Sequence, residues 1–149
     1  MGSWLVWTPP NLHKKTFLFY LQTHFSGKYR DYKFAKAIKI LTNNIESIPN
    51  VHNWAIKSNI SRGWLCKMAK IKYGMLPMEI LREVRFEKIV QLMENNIEAT
   101  CYSIAKDSGL SSAAALRMFL TRHYSTNFKK LRLKLLNDEL QIAWKWLNV

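Results

Sequence analysis

Apolar residues along this chain recur mainly at intervals of three and four, the spacing that lays a stripe along one side of an α-helix. Thr8 as N-cap, Pro9 and Pro10 in the first turn and Gly27 as the stop predict a first helix, with Phe17, Tyr20, Leu21, His24 and Phe25 on one side. Alternation at Leu5/Trp7 and Phe17/Phe19/Leu21 also allows a hairpin there, with the helix preferred. Asp31 then caps a helix carrying Phe34, Ala37, Ile38 and Leu41, which ends near Asn43 and Asn44. After a break at Pro49 and Asn50, a short helix turns Val51, Trp54 and Ala55 inward. Ile60 and Ser61 form the next turn, and Ser61 caps a helix that reaches Tyr73 and stops at Gly74. Pro77 opens a longer helix with Ile80, Leu81, Val84, Ile89, Leu92 and Met93 as its stripe, ended by Asn95 and Asn96. Helix, turn and helix come again around Gly109, with Ile104, Ala105 and Leu110, then Leu116, Phe119 and Leu120. A last helix is expected from about Asn127 to Trp146. The fold class is all-α.

The chain has 149 residues, 48% hydrophobic and 13% aromatic, which bounds it to one domain or two very small ones and excludes compositional disorder. A chain of this size buries about 68–70% of the surface its unfolded form exposes, so its core needs no disulfide or metal. Cys66 and Cys101 lack a C-x-x-C partner, which argues against a disulfide scaffold or zinc site and for a reducing cytoplasm. The five glycines are too scattered for a phosphate-cradling loop. The run Phe17 to Leu21 is far shorter than the roughly 18 residues of a membrane span, and no cleavage site follows Lys14 and Lys15. A soluble, intracellular protein is expected.

Lys and Arg number 23 against 10 Asp and Glu, a formal net charge of +13. The acids are unevenly placed. Between Ser47 and Met78 no carboxylate interrupts Lys57, Arg62, Lys67, Lys70 and Lys72; between Ser108 and Asn137 none interrupts Arg117, Arg122, Lys129, Lys130, Arg132 and Lys134. A spacer holding Glu79, Glu83, Glu87, Glu94 and Glu98 separates the two basic blocks. A polyanion fits such blocks, because Lys and Arg that neutralise phosphates release condensed counterions. A basic surface that only keeps the protein soluble is the competing explanation. A membrane surface is disfavoured, since the bases are not confined to one face of an amphipathic helix.

Two helix-turn-helix units therefore stand in tandem. Ala55 precedes the turn residue Ser61 as Ala105 precedes Ser111, while Leu65 and Leu116 begin the inward stripe after each turn. In this the chain resembles the DNA-binding region of the AraC/XylS family of bacterial transcription regulators. The family's first-unit pattern of Ala, turn Ser, Leu, Arg, Phe, Gly and Pro is met by Ala55, Ser61, Leu65, Lys67, Ala69, Gly74 and Pro77. Its connecting helix is matched by Arg85, Phe86, Ile89, Leu92 and Met93, and the Ile-Ala and Gly-Phe of its second unit by Ile104, Ala105, Gly109 and Leu110. The likeness runs from Phe34 to Arg132. Departures mark a divergent member: Lys67 for Arg and Ala69 for Phe in the first unit, then Met118 for Arg, Leu120 for Phe, and Ser125 and Phe128 for the closing Gly and Pro. The resemblance implies a first subdomain at 34–76, a connecting helix at 77–96 and a second subdomain at 97–132; it leaves unexplained an N-terminal aromatic-rich extension at 1–33 and a C-terminal helical extension at 133–149. It further implies a regulator in the bacterial cytoplasm, associated with the nucleoid, that binds double-stranded DNA with two recognition helices in successive major-groove segments.

With Leu65 inward at 100° per residue, Gly63, Cys66, Lys67 and Lys70 point outward. The family's base contacts fall on this set, which makes Lys67 the leading reader of guanine O6/N7, while Gly63 and Cys66 permit close approach. Arg62, Lys70 and the free amides near Ser61 are assigned to phosphates. In the second unit Ala114, Arg117, Met118 and Thr121 point outward, with Arg117 as its one strong reader, and Arg122, Lys129 and Lys130 as phosphate anchors. A bidentate pair is worth about 1–3 kcal/mol of base discrimination, so Met118 in place of Arg predicts a less selective second unit.

Competing readings stand beside these. The basic side chains can be a solvated surface; Cys66 is an ordinary exposed thiol rather than a redox sensor; His13, His24, His52 and His123 lack ligand spacing; Trp54 and Trp64 are core rather than base platforms. Leu133, Leu136, Leu140, Ala143 and Leu147 repeat at threes and fours, which fits a helix packed on the N-terminal segment better than a dimer seam, so a monomer is expected. The chain has no room for an effector domain of ordinary size, which makes it a short regulator or the C-terminal part of a longer protein. The alternative function is a degenerate helix-turn-helix that binds RNA polymerase or another regulator through Ala114 and Met118. An enzyme is not expected: no catalytic carboxylate pair, Ser/His/Asp order or metal cluster is visible, Glu79 and Arg82 read as a surface pair, and no cofactor is implied.

Overall fold

The computed structural model describes residues 14–140 and 144–147, with side-chain surroundings from residue 27 onward. All regular structure among the described residues is helical, as the apolar spacing predicts: α1 Lys14–Asn43, α2 Val51–Lys57, α3 Arg62–Tyr73, α4 Pro77–Asn95, α5 Cys101–Asp107, α6 Ala113–Tyr124 and α7 Phe128–Leu136. The chain divides into two compact units, Met1–Ala35 and Lys36–Val149.

In the first unit the expected break does not occur. The expected cap at Thr8 lies outside the described residues, but α1 runs unbroken through Gly27 and Asp31, which excludes a hairpin over Phe17–Leu21. Gly27 lacks the positive φ of a helix stop, which among the described glycines belongs to Gly74 and Gly109. A glycine inside a helix costs only about 0.5–1 kcal/mol against alanine. Ending one helix and starting another would orphan several backbone donors and acceptors at each end, so continuity wins.

The second unit builds its core around α4, which packs against α2, α3 and α5. The expected stripe is buried except for Leu92, which is half-buried, but Arg85, Glu87 and Val90 are buried as well. Helix α4 is therefore enclosed on more than one face, because it lies inside the unit rather than on it. Ile89 and Met93 join Ile104, Ala105, Leu116, Phe119, Leu120 and Leu131 in one cluster. A short 3-10 turn, Ile45–Ser47, adds Ile45 and Ile48 to the core, both unexposed and neither expected from spacing. Trp54 is buried as anticipated, its Nε1 donating to the Ala37 carbonyl at 2.8 Å.

Helix α7 ends at Leu136, ten residues before the expected end at Trp146. Asp138 adopts φ 56°, and the Asp138 and Glu139 amides donate to the carbonyls of Leu135 and Lys134, a Schellman stop. The two-heptad leucine seam thus has no continuous helix to stand on. Leu133 and Leu136 are exposed, Leu140 lies beyond the helix, and Ala143 falls outside the described residues. The segment beyond instead docks on α4. The Glu87 carboxylate accepts the backbone amides of Lys145, Trp146 and Leu147 at 2.8–3.0 Å, and Glu83 accepts Trp146 Nε1 at 3.0 Å. The side-chain surroundings of the N-terminal aromatic residues up to Phe25, expected to meet it, lie outside those described.

Candidate nucleic-acid interface

The two helix-turn-helix units are built by the same local chemistry. Asn50 caps α2 by accepting the Asn53 amide at 2.9 Å, and Thr100 caps α5 by accepting that of Ser103 at 3.1 Å. Each of these helices ends in a Schellman turn, at Asn59 with φ 54° and at Gly109 with φ 82°. Ser61 Oγ then accepts the Trp64 amide at 3.1 Å to start α3. In the second unit the cap is Ser112, one place after the turn residue Ser111: its Oγ accepts the Ala115 amide at 3.0 Å. The second turn is one residue longer, which is why Leu116 stands five positions after Ser111 but, like Leu65 after Ser61, four after its cap.

From the caps onward the helices run in register. Both α3 and α6 have 12 residues. Leu65, Met68 and Ala69 are buried in one, and Leu116, Phe119 and Leu120 at the same places in the other. The outward positions pair as Gly63 with Ala114, Cys66 with Arg117, Lys67 with Met118 and Lys70 with Thr121, and all eight are exposed. Gly74 ends α3 at φ 65°, and Ser125 takes the same left-handed conformation after α6 at φ 50°. Pro77 opens α4 as Phe128 opens α7, and Ile80 and Leu131 are buried at matching places.

Every residue singled out from the sequence is at the surface: Arg62, Gly63, Cys66, Lys67 and Lys70 on α3, Ala114, Arg117, Met118, Thr121 and Arg122 on α6, and Lys129 and Lys130 in the first turn of α7. Among the described residues, the basic side chains of this set make no hydrogen bond or ion pair. Their charges are free to meet an external anion. Asn127 caps α7 through the Lys130 amide at 2.9 Å, which fixes the two lysines at that helix start. Glu79 does not pair with Arg82. Its carboxylate accepts the Leu76 amide at 2.7 Å and caps α4 from that side.

Spacing alone did not reveal what locks the two helix-turn-helix units together. Arg85, only 6% exposed, donates Nε to the Ser108 carbonyl at 3.0 Å in the second unit and Nη2 to the Ile48 carbonyl at 2.8 Å in the first. Burial pushes its pKa below the ordinary guanidinium value. The signal was present, an arginine one place after Val84 and four after Leu81 on an apolar face. Tyr124 adds a second tie: its ring stacks on Phe86 at 3.7 Å, and its hydroxyl donates to the Arg82 carbonyl at 3.4 Å. Burial first, then the Glu83 charge, pushes this phenol up to about 12. Burial also lowers the His123 imidazole, and the Arg82 and Arg122 charges push it the same way.

Among the described residues no helix is long and apolar enough to cross a membrane. No family model and no curated protein matches the chain. A solved crystal structure does: a transcriptional regulator of the AraC-type DNA-binding domain-containing proteins from Chromobacterium violaceum, at TM-score 0.60 and 21% identity, over 70% of this chain and 93% of that one. At that identity the likeness is one of architecture, and the chain has the fold of that AraC-type DNA-binding structure.

Proposed function

We propose that the chain is a sequence-specific DNA-binding transcription regulator of the bacterial cytoplasm, acting as a monomer that places α3 and α6 in successive major-groove segments. The observation that carries this reading is the matched register of two capped helices, each turning an exposed face outward with unpaired bases on or beside it. The subdomains at 34–76 and 97–132 then hold the recognition helices, 77–96 connects them, and 1–33 and 133–149 are extensions. Lys67 reads bases from the first unit and Arg117 from the second, while Arg62, Lys70, Arg122, Lys129 and Lys130 hold phosphates. The first unit supplies most of the selectivity, because Met118 presents a thioether where Lys67 presents a charged donor.

Selection from a random duplex pool of about 20–25 base pairs, two helical turns, tests this at near-physiological salt. The expected motif has one sharp half and one vague half. Lys67→Ala blurs the sharp half, and Lys129→Ala weakens all sequences alike while reducing the salt slope by about 1. A larger specificity loss in Arg117→Ala would reverse the assignment of the two units. The 62% exposure of Met118 favours one second reading, a protein-contact surface for RNA polymerase or another regulator. That reading predicts no recovered motif and binding that vanishes steeply with salt.

A further inference from the structure

A cleft of about 410 Å³ opens between the two subdomains. Its walls come from the start of α2 at Val51 and His52, the first residue of α3 at Arg62, α4 at Leu81, Arg82 and Arg85, and α6 at Phe119 and His123. The volume lies in the range of small-molecule sites, roughly 300–1,000 Å³. Three arginines and two histidines line it, and no carboxylate does. Arg85 lies at its buried end, held by the carbonyls of Ser108, Ile48 and Pro49, with no acid among the described residues paired to it. A guanidinium neutralised only by carbonyl dipoles keeps its charge, and a buried charge without a counter-ion attracts one. Burial lowers the His123 pKa first, and the Arg82 and Arg122 charges lower it further. Leu81, Phe119 and Val51 give the cleft apolar walls that a bare inorganic ion would leave unmet.

We propose that this cleft is a binding site for a small carboxylate with an apolar body, its head group held by Arg82 and Arg62 over the charge of Arg85 and its body against Leu81 and Phe119. The ligand touches both subdomains and therefore favours whichever relative arrangement of them it contacts best. This goes beyond DNA binding and does not depend on it.

The test uses the full chain without DNA. Isothermal titration with benzoate, phenylacetate and octanoate is compared with benzamide and inorganic phosphate, and two-dimensional amide NMR maps the site. One-to-one saturation by at least one carboxylate is expected, with benzamide and phosphate at least tenfold weaker and shifts centred on His52, Arg82 and His123. Arg82→Gln, a change at a half-buried side chain that makes no hydrogen bond among the described residues, is expected to weaken the carboxylate at least tenfold with an unchanged melting curve. No saturation at millimolar carboxylate, equal binding of benzamide or phosphate, or undiminished binding in Arg82→Gln would each overturn the proposal. None of these outcomes bears on the duplex selection, so the two readings fail separately.

Discussion

Asn59, Gly74, Gly109, Ser125 and Asp138 end or follow five of the helices, each in the left-handed region of φ. That conformation costs an L-residue about 1–2 kcal/mol, and glycine almost nothing. Sequence reading located the glycine stops at Gly74 and Gly109 but passed over Asn59 and Asp138, where a short polar side chain tolerates the same backbone. Gly109 has a second constraint. A Cβ there would stand 2.3 Å from the Ile45 carbonyl oxygen, backbone that cannot swing away. Gly109→Ala is therefore expected to destabilise by at least about 2 kcal/mol in urea unfolding. Ser125→Gly, which relieves the left-handed strain at the end of α6, is expected to stabilise by about 0.5–1 kcal/mol. Equal effects of the two substitutions would refute this account of the turns.

At the scale of elements, capping and apolar spacing made most boundaries legible. Asn50, Ser61, Pro77 and Gly74 stand where local chemistry puts them, and the structure agrees at each. Other boundaries are decided by more than local chemistry. Ser111 and Ser112 are equally good caps by composition, and the choice falls to Ser112 because it sets Leu116, Phe119 and Leu120 into the second-unit cluster. Ser112→Ala is expected to cost about 1 kcal/mol of stability, with Ser111→Ala within about 0.5 kcal/mol of neutral. Thermal melts of the two variants decide it, and the reverse order would restore the shorter turn. The end of α7 at Leu136 is likewise not set by apolar spacing. Leucines continue beyond Leu136 at helical intervals, but the backbone turns at Asp138 and delivers Trp146 to α4.

Across the whole molecule, the acidic residues of the connecting helix have a role that charge counting could not assign. Read along the sequence, Glu83 and Glu87 belong to an acidic spacer between basic blocks; in the fold, Glu87 is buried and receives three consecutive amides from residues nearly sixty positions later. Glu87→Gln keeps the volume but removes acceptor capacity, so it is expected to cost about 1–3 kcal/mol. Amide hydrogen exchange at Lys145, Trp146 and Leu147 is expected to accelerate at least tenfold in that variant while exchange in α5 and α6 stays unchanged. Uniform acceleration would mean that Glu87 supports the core in general rather than this segment. The sequence by itself determined the helical class, the tandem repeat and the outward basic faces, because these follow from 3.6-residue periodicity and from caps that act within one turn. Only the tertiary structure decided the continuity of α1 through Gly27, the cap at Ser112, the Arg85 bridge and the Glu87 anchor. Each of these depends on a partner distant in sequence or on a balance of several kcal/mol between alternatives that look equal locally.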